Sequence, residues 1–208
     1  MLLDYAVSAW LTLFVVVDPI AMSPTFLVVT MGMPRASRQS VALRASVIAG
    51  AILVGSALIG DRLLNVLEIS LPAFRIAGGL LLFWIAAEMV FGVRSRHDGE
   101  AAEQAMEERV RNVAAFPLAI PLLAGPGAIT ATILLAAQAD GSVLRLAALI
   151  AVVVLVAVSC LVTFLFADPI SRLLGLTGNI VLSRLLGVLL AALAVQFVVD
   201  GIRAILAG

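Results

Sequence analysis

Hydrophobic residues run along this chain in long blocks separated by short polar interruptions. Six such blocks can be drawn: about Tyr5 to Thr30, Val41 to Gly60, Leu71 to Gly92, Val113 to Ala139, Val143 to Ala167 and Ile180 to Leu206. Each is long enough to cross a hydrocarbon core of about 30 Å as a helix, for which roughly 20 residues suffice. None shows the in–out alternation of a barrel strand. The pattern predicts an all-α integral membrane protein with six transmembrane helices and mostly short loops.

Two blocks are interrupted. The first contains Asp18-Pro19-Ile20-Ala21-Met22-Ser23-Pro24-Thr25, and the fourth contains Gly125-Pro126-Gly127-Ala128-Ile129-Thr130-Ala131-Thr132. Proline has no amide hydrogen, so Pro19 leaves the carbonyl of Val15 without its helical donor and Pro126 does the same to Leu122. Asp18 suits the N-cap of a second half-helix with Pro19 at its first position, and Gly125-Pro126 repeats that arrangement. Helices one and four are therefore expected to be broken at mid-membrane, with two half-helix N-termini facing the interior. Breaks of this kind mark solute or ion sites in transporters.

Asp18 lies 13 residues beyond Tyr5, about 20 Å along a helix rising ~1.5 Å per residue. A charged carboxylate at that depth costs at least ~2.5 kcal/mol unless it is partnered. It suits binding of a substrate ammonium, carriage of a coupling proton, or capping alone. The candidate substrate-binding residues are Asp18, Pro19, Ser23, Thr25, Gly125, Pro126, Gly127, Thr130 and Thr132, with Asp18 also the ion-coupling candidate. The hydroxyls of Ser23, Thr25, Thr130 and Thr132 have a competing use, bonding the preceding turn or a neighbouring helix.

The halves of the chain resemble one another. Pro19 and Pro126 are 107 residues apart, as are Asp61 and Asp168, while Arg75 and Arg184, Gly78 and Gly187, and Gly92 and Gly201 are 109 apart. The order is preserved and one small insertion reconciles the spacings. The division is residues 1–93 as a first three-helix repeat, 94–112 as a charged cytoplasmic connector, and 113–208 as a second repeat. With three spans in each, the second repeat is inverted, which is the plan of many secondary transporters. The links beginning at Asp61 and Asp168 suit either brief capped interfacial helices or plain turns. Gly50, Gly55, Gly78, Gly79 and Gly187 permit close helix approach, and Gln196 is placed to bond across helices.

Composition narrows the chemistry. The chain is 63% hydrophobic and 12% charged, with a mean hydropathy of +1.19. Net charge is zero and every basic residue is arginine, so no lysine is available for a Schiff base or a Walker phosphate site, and nucleic-acid binding has no support. Cys160 is the single cysteine, which excludes an internal disulfide and a thiolate metal cluster. His97, the single histidine, lies in the connector with no second His or Cys to share a metal. Without a nucleophile–base pair or a metal, no enzyme activity and no cofactor are expected. Asp4 stands where a signal peptide would carry basic residues. Arg35, Arg38 and Arg44, and then Arg94, Arg96, Arg109 and Arg111, mark two cytoplasmic loops, placing both termini outside.

Several motifs together resemble the MarC family of bacterial inner-membrane proteins. They are Asp18-Pro19 with Pro24 and Phe26, Arg75-Ile76-Ala77-Gly78-Gly79, Pro117 to Pro121 followed by Ala124-Gly125-Pro126-Gly127, and Ser183-Arg184 to Gly187 with Val195-Gln196-Phe197 and Gly201. The resemblance implies a small neutral amino-acid transporter, moving glycine, alanine and similar solutes across the inner membrane. Where many relatives have Gly and often Asn after Asp-Pro-apolar, this chain has Ala21 and Met22, and Ser23 and Thr25 replace aliphatics, so a tighter or chemically different pocket is expected. With no ATP-binding sequence, an ion gradient must drive uphill movement; Asp18 favours the proton, with sodium the rival. Two alternatives stand beside this reading. Efflux of amphipathic drugs calls for aromatic walls, and 6% of residues are aromatic; a non-transporting membrane scaffold would not need Asp18.

Overall fold

The apolar blocks fold as helices in the computed structural model, which describes residues 2–92 and 114–206. The helical segments are α1 (Leu2–Val17), α2 (Met22–Val29), α3 (Arg35–Val66), α4 (Leu71–Phe91), α5 (Ala114–Leu123, wound in the π register), α6 (Pro126–Ala137), α7 (Val143–Leu165) and α8 (Ala167–Leu206). The connector with Arg94, Arg96, His97, Arg109 and Arg111 lies outside the described residues.

Among the described residues, four helices are long and apolar enough to span a membrane: α3, α4, α7 and the Thr177–Leu206 part of α8. A fifth span is reached when α1 and α2 are taken together, bent by 46°. The fourth block does not supply a sixth span by length and composition. There Gly125-Pro126 cuts the helix, the part before the cut is π-wound, and α6 alone is a shorter apolar helix. The first break also differs in detail. Asp18 does not start a helix at Pro19; it adopts φ 50°, and regular α2 begins at Met22 with Ala21 as its N-cap.

The link expected from Asp61 is absent, because α3 runs on through Asp61 and Arg62 to Val66. No glycine or proline interrupts it there, and Asn65 donates to the Asp61 carboxylate at 3.4 Å one turn back. At Asp168 a short helix does form, since Gly175 departs from helical geometry (φ 59°, ψ −176°) and separates it from the rest of α8. Ser70 caps α4 by accepting from the Ala73 amide, and Gly92, at φ 75°, closes it in the left-handed conformation glycine adopts without strain.

The closest seam lies between α4 and α8, which run antiparallel. A Cβ on Gly79 would stand 2.7 Å from the Ala194 carbonyl oxygen, one on Gly187 3.1 Å from that of Ala86, and one on Gly201 2.8 Å from that of Pro72. Small residues allow this approach where packing, rather than water exclusion, holds helices together. Gly50 plays the same part between α3 and α7, its Cβ position 3.2 Å from Ala157. Gly55 does not, having nothing within 4 Å. Leu80, Trp84, Leu155 and Val162 are exposed on outer faces, as lipid contact requires. Gln196, expected to bond across helices, instead donates to Asp200 at 2.8 Å within α8.

The seam predicts unequal tolerance of side chains. Gly79→Val should destabilise by about 1–3 kcal/mol through overpacking, whereas Gly55→Ala should be neutral or stabilising through helix propensity. Thermal unfolding of the purified variants in detergent checks both; equal melting temperatures for the two would contradict the packing.

Candidate functional site

The apolar chain is interrupted at Asp18 because two local facts coincide. Asp18 takes a left-handed backbone conformation, and Pro19 denies the Val15 carbonyl its donor. The Asp18 amide still closes α1 on Phe14 at 2.9 Å, and its carbonyl accepts from Met22 at 3.3 Å. The carbonyl end of one short helix and the amide end of another therefore meet at a single turn. The first is partially negative and the second partially positive.

The Asp18 side chain is 1% exposed. Its Oδ1 accepts from the Ala21 amide at 3.4 Å, much as an N-cap would, and its Oδ2 accepts from Ser183 Oγ of α8 at 3.3 Å. Ser23, in the first turn of α2, is fully buried, and its Oγ has no hydrogen-bond partner among the described residues. Thr25 is also buried.

The second break lies against the first. Gly125 is the N-cap of α6 with Pro126 in the first turn, and a Cβ on Gly127 would meet Ile85 and stand 3.6 Å from Val16 Cγ1, near the end of α1. Pro126 itself is exposed. Thr132 is buried, and its hydroxyl donates to the Ala128 carbonyl at 2.7 Å, the use expected of a membrane-helix threonine. Thr130 turns its methyl to Gly78, 2.6 Å from where a Cβ would be. The polar atoms best placed for a ligand thus belong to the first break, and the second supplies a close-packed wall.

Two further residues enter the site from α8. Ser183 touches Asp18 directly, and Asn179, one helical turn earlier, is 9% exposed with an Oδ1 that has no hydrogen-bond partner among the described residues. The sequence carried a signal for Asn179, a polar amide at the mouth of an apolar run. Ser183 stood out only as part of a motif, because its contact spans 165 residues. Among the described residues no group of three or more His, Cys, Asp or Glu could hold a metal ion.

Comparison with known proteins places this geometry in context. Residues 3–206 match the family model described as MarC family integral membrane protein. The chain is 37% identical to a UPF0056 membrane protein of Methanocaldococcus jannaschii, the match covering 97% of each chain. It is 36% identical to one of Archaeoglobus fulgidus over 96% of this chain and 93% of that one, and 36% identical to YhcE of Escherichia coli over 94% and 91%. No solved structure matches the chain.

Proposed function

Because the chain belongs to the MarC family of integral membrane proteins, a membrane-protein rather than an enzyme family, we propose that it transports a small solute, bound where the two broken helices meet. The carrying observation is the buried Asp18 carboxylate at a helix break, with a fully buried hydroxyl, Ser23, in the first turn of the helix that follows and without a hydrogen-bond partner among the described residues. Burying such groups inside a membrane protein is costly and is characteristic of substrate and ion pathways. Asp18, Pro19, Ser23 and Thr25 form one side of the site. Gly125, Pro126, Gly127, Thr130 and Thr132 form the other.

A zwitterion fits the break. The α2 amide end suits a carboxylate, and Asp18 with the α1 carbonyl end suits an ammonium. The finer reading is therefore a small neutral amino acid of the glycine or alanine type, with a proton on Asp18 as the coupling ion and sodium as the rival. Alternating access follows from two inverted three-helix repeats, residues 1–93 and 113–208. The α4–α8 seam supports that plan. Gly79 meets Ala194 and Val198 and Gly187 meets Ala86 and Val90, so a shift of 108 residues, one short of the 109 that pairs Gly78 with Gly187 by sequence, carries Gly79, Ala86 and Val90 onto Gly187, Ala194 and Val198. Reciprocal contacts of this kind are those of a local two-fold axis.

Efflux of a larger amphipathic solute is favoured by a different feature, a largely apolar groove of about 740 Å³ between α1 and α8 that includes Asp4, Thr12 and Gln196. Proteoliposomes separate the readings. Uptake of labelled alanine should be saturable, accelerated by an inward proton gradient, and reduced at least about tenfold, ~1.4 kcal/mol, by Asp18→Asn. Efflux of a cationic dye, with no alanine uptake, would favour the groove; neither activity would leave a scaffold.

A further inference from the structure

We propose that Asn179 and Ser183 form the α8 wall of this site and that the group received between them, Asp18 and Ser23 is a protonated amine. This rests on the transporter reading and names the end of the solute that the site recognises. Ser183 Oγ donates to Asp18 Oδ2 at 3.3 Å, so this face of α8 lies against the break. Asn179 precedes Ser183 by four residues and shares its face. Asn179 Oδ1 and Ser23 Oγ are both buried without partners. Buried polar atoms left unpaired weaken a fold and call for an explanation, of which a bound ligand is one; Trp10 Nε1 in α1 and Ser46 Oγ in α3 are likewise unpartnered among the described residues. Among the described residues, the unpartnered Asn179 amide oxygen can only accept, and the unpartnered Ser23 hydroxyl can accept or donate, beside a carboxylate that already takes bonds from Ala21 and Ser183. An ammonium supplies three N–H donors in one small group. An alkali cation shares the chemistry of binding oxygens, so the test separates the two.

The purified full-length protein, melted in detergent with alanine, lactate, sodium chloride or choline chloride, provides the test. Alanine should raise the wild-type melting temperature equally in sodium and choline salts, and lactate should not. Asn179→Ala and Ser23→Ala should melt at or above the wild-type temperature without ligand, because each removes an orphaned polar atom, and each should lose the alanine shift. Variants that melt several degrees lower and keep the shift would make these residues structural and overturn the assignment. A shift that requires sodium, or none with alanine or glycine, overturns the amine. Proteoliposome transport of another solute would then leave the transporter reading standing.

A separate observation concerns the two ends of the molecule. Arg38 of α3 pairs with Asp168 at the start of α8 at 3.0 Å, beside Phe26, whose ring stacks on Phe164 with centroids 4.5 Å apart. The 107-residue spacing that relates the prolines carries Arg38 onto Arg145 and relates Asp61 to Asp168. In this structure the second pair is not joined. Arg145 donates to the Gln138 carbonyl at 3.4 Å, Asp61 accepts from Asn65, and a cavity of about 420 Å³ lined by Asp61, Ser142 and Leu146 lies there. We infer that Arg38–Asp168 and Arg145–Asp61 are alternate latches at opposite ends of the solute path, one closed while the other is open. Partly exposed ion pairs are individually weak, which suits contacts that must exchange.

Cross-linking in native membranes tests this without a substrate. In a Cys160→Ser background, the pair Arg38→Cys with Asp168→Cys and the pair Arg145→Cys with Asp61→Cys should each cross-link with a short bifunctional maleimide. In a chain carrying all four substitutions, closing either pair should slow the other at least tenfold. Failure of the second pair to link, or simultaneous linking of both, overturns the latches. Uptake in proteoliposomes is unaffected by that outcome, so the two readings fail separately.

Discussion

A carboxylate held at 1% exposure inside a mostly apolar helical protein is the constraint from which the rest of this structure follows. Asp18 is tolerable there because the helix stops at that residue. Its left-handed backbone and the proline after it turn the chain, so that the Ala21 amide and the Ser183 hydroxyl reach its two oxygens. A continuous helix would leave the side chain pointing along an apolar face with no donor near it. The break that satisfies the carboxylate also brings a carbonyl end and an amide end together, producing the polarity a small zwitterion would meet. Local backbone chemistry and site chemistry are the same event.

Holding that break in place requires walls that come close. The α4–α8 seam does so through glycine, its backbones near enough that a methyl group on Gly79 or Gly187 would press on a carbonyl oxygen of the opposite helix. α8 therefore sits firmly against α4 while presenting Ser183 to Asp18 on another side. At α6, Gly127 performs a similar service beside Val16 and Ile85. Glycines that look like ordinary membrane composition here allow the close packing that holds Ser183 of α8 against Asp18.

Much of this was legible in the residues. Pro19 and Gly125-Pro126 announced where the first and fourth blocks would break, since a missing amide hydrogen is a local fact that no tertiary context restores. Features settled by tertiary contact were not legible. Ser183 gains its meaning from a partner far away in the chain; Gln196, by contrast, bonds Asp200 one turn on in its own helix, a local pairing that the spacing allowed and the expectation of a bond across helices passed over. The π winding of α5 and the continuation of α3 past Asp61 depend on small differences between competing helical registers, which block length and turn residues do not encode. The family likeness, drawn from motifs along the chain, agrees with the match over residues 3–206, yet the polar residues that complete the break had to be found in three dimensions.

The central claim is that the Asp18 break is a binding site reached from water and not a sealed structural kink. Its most direct test is the reactivity of Ser23→Cys, in a Cys160→Ser background, toward a small charged thiol reagent applied to intact membranes. The account predicts measurable labelling that slows when alanine is present. No labelling from either side of the membrane, in a protein that remains folded, would contradict it.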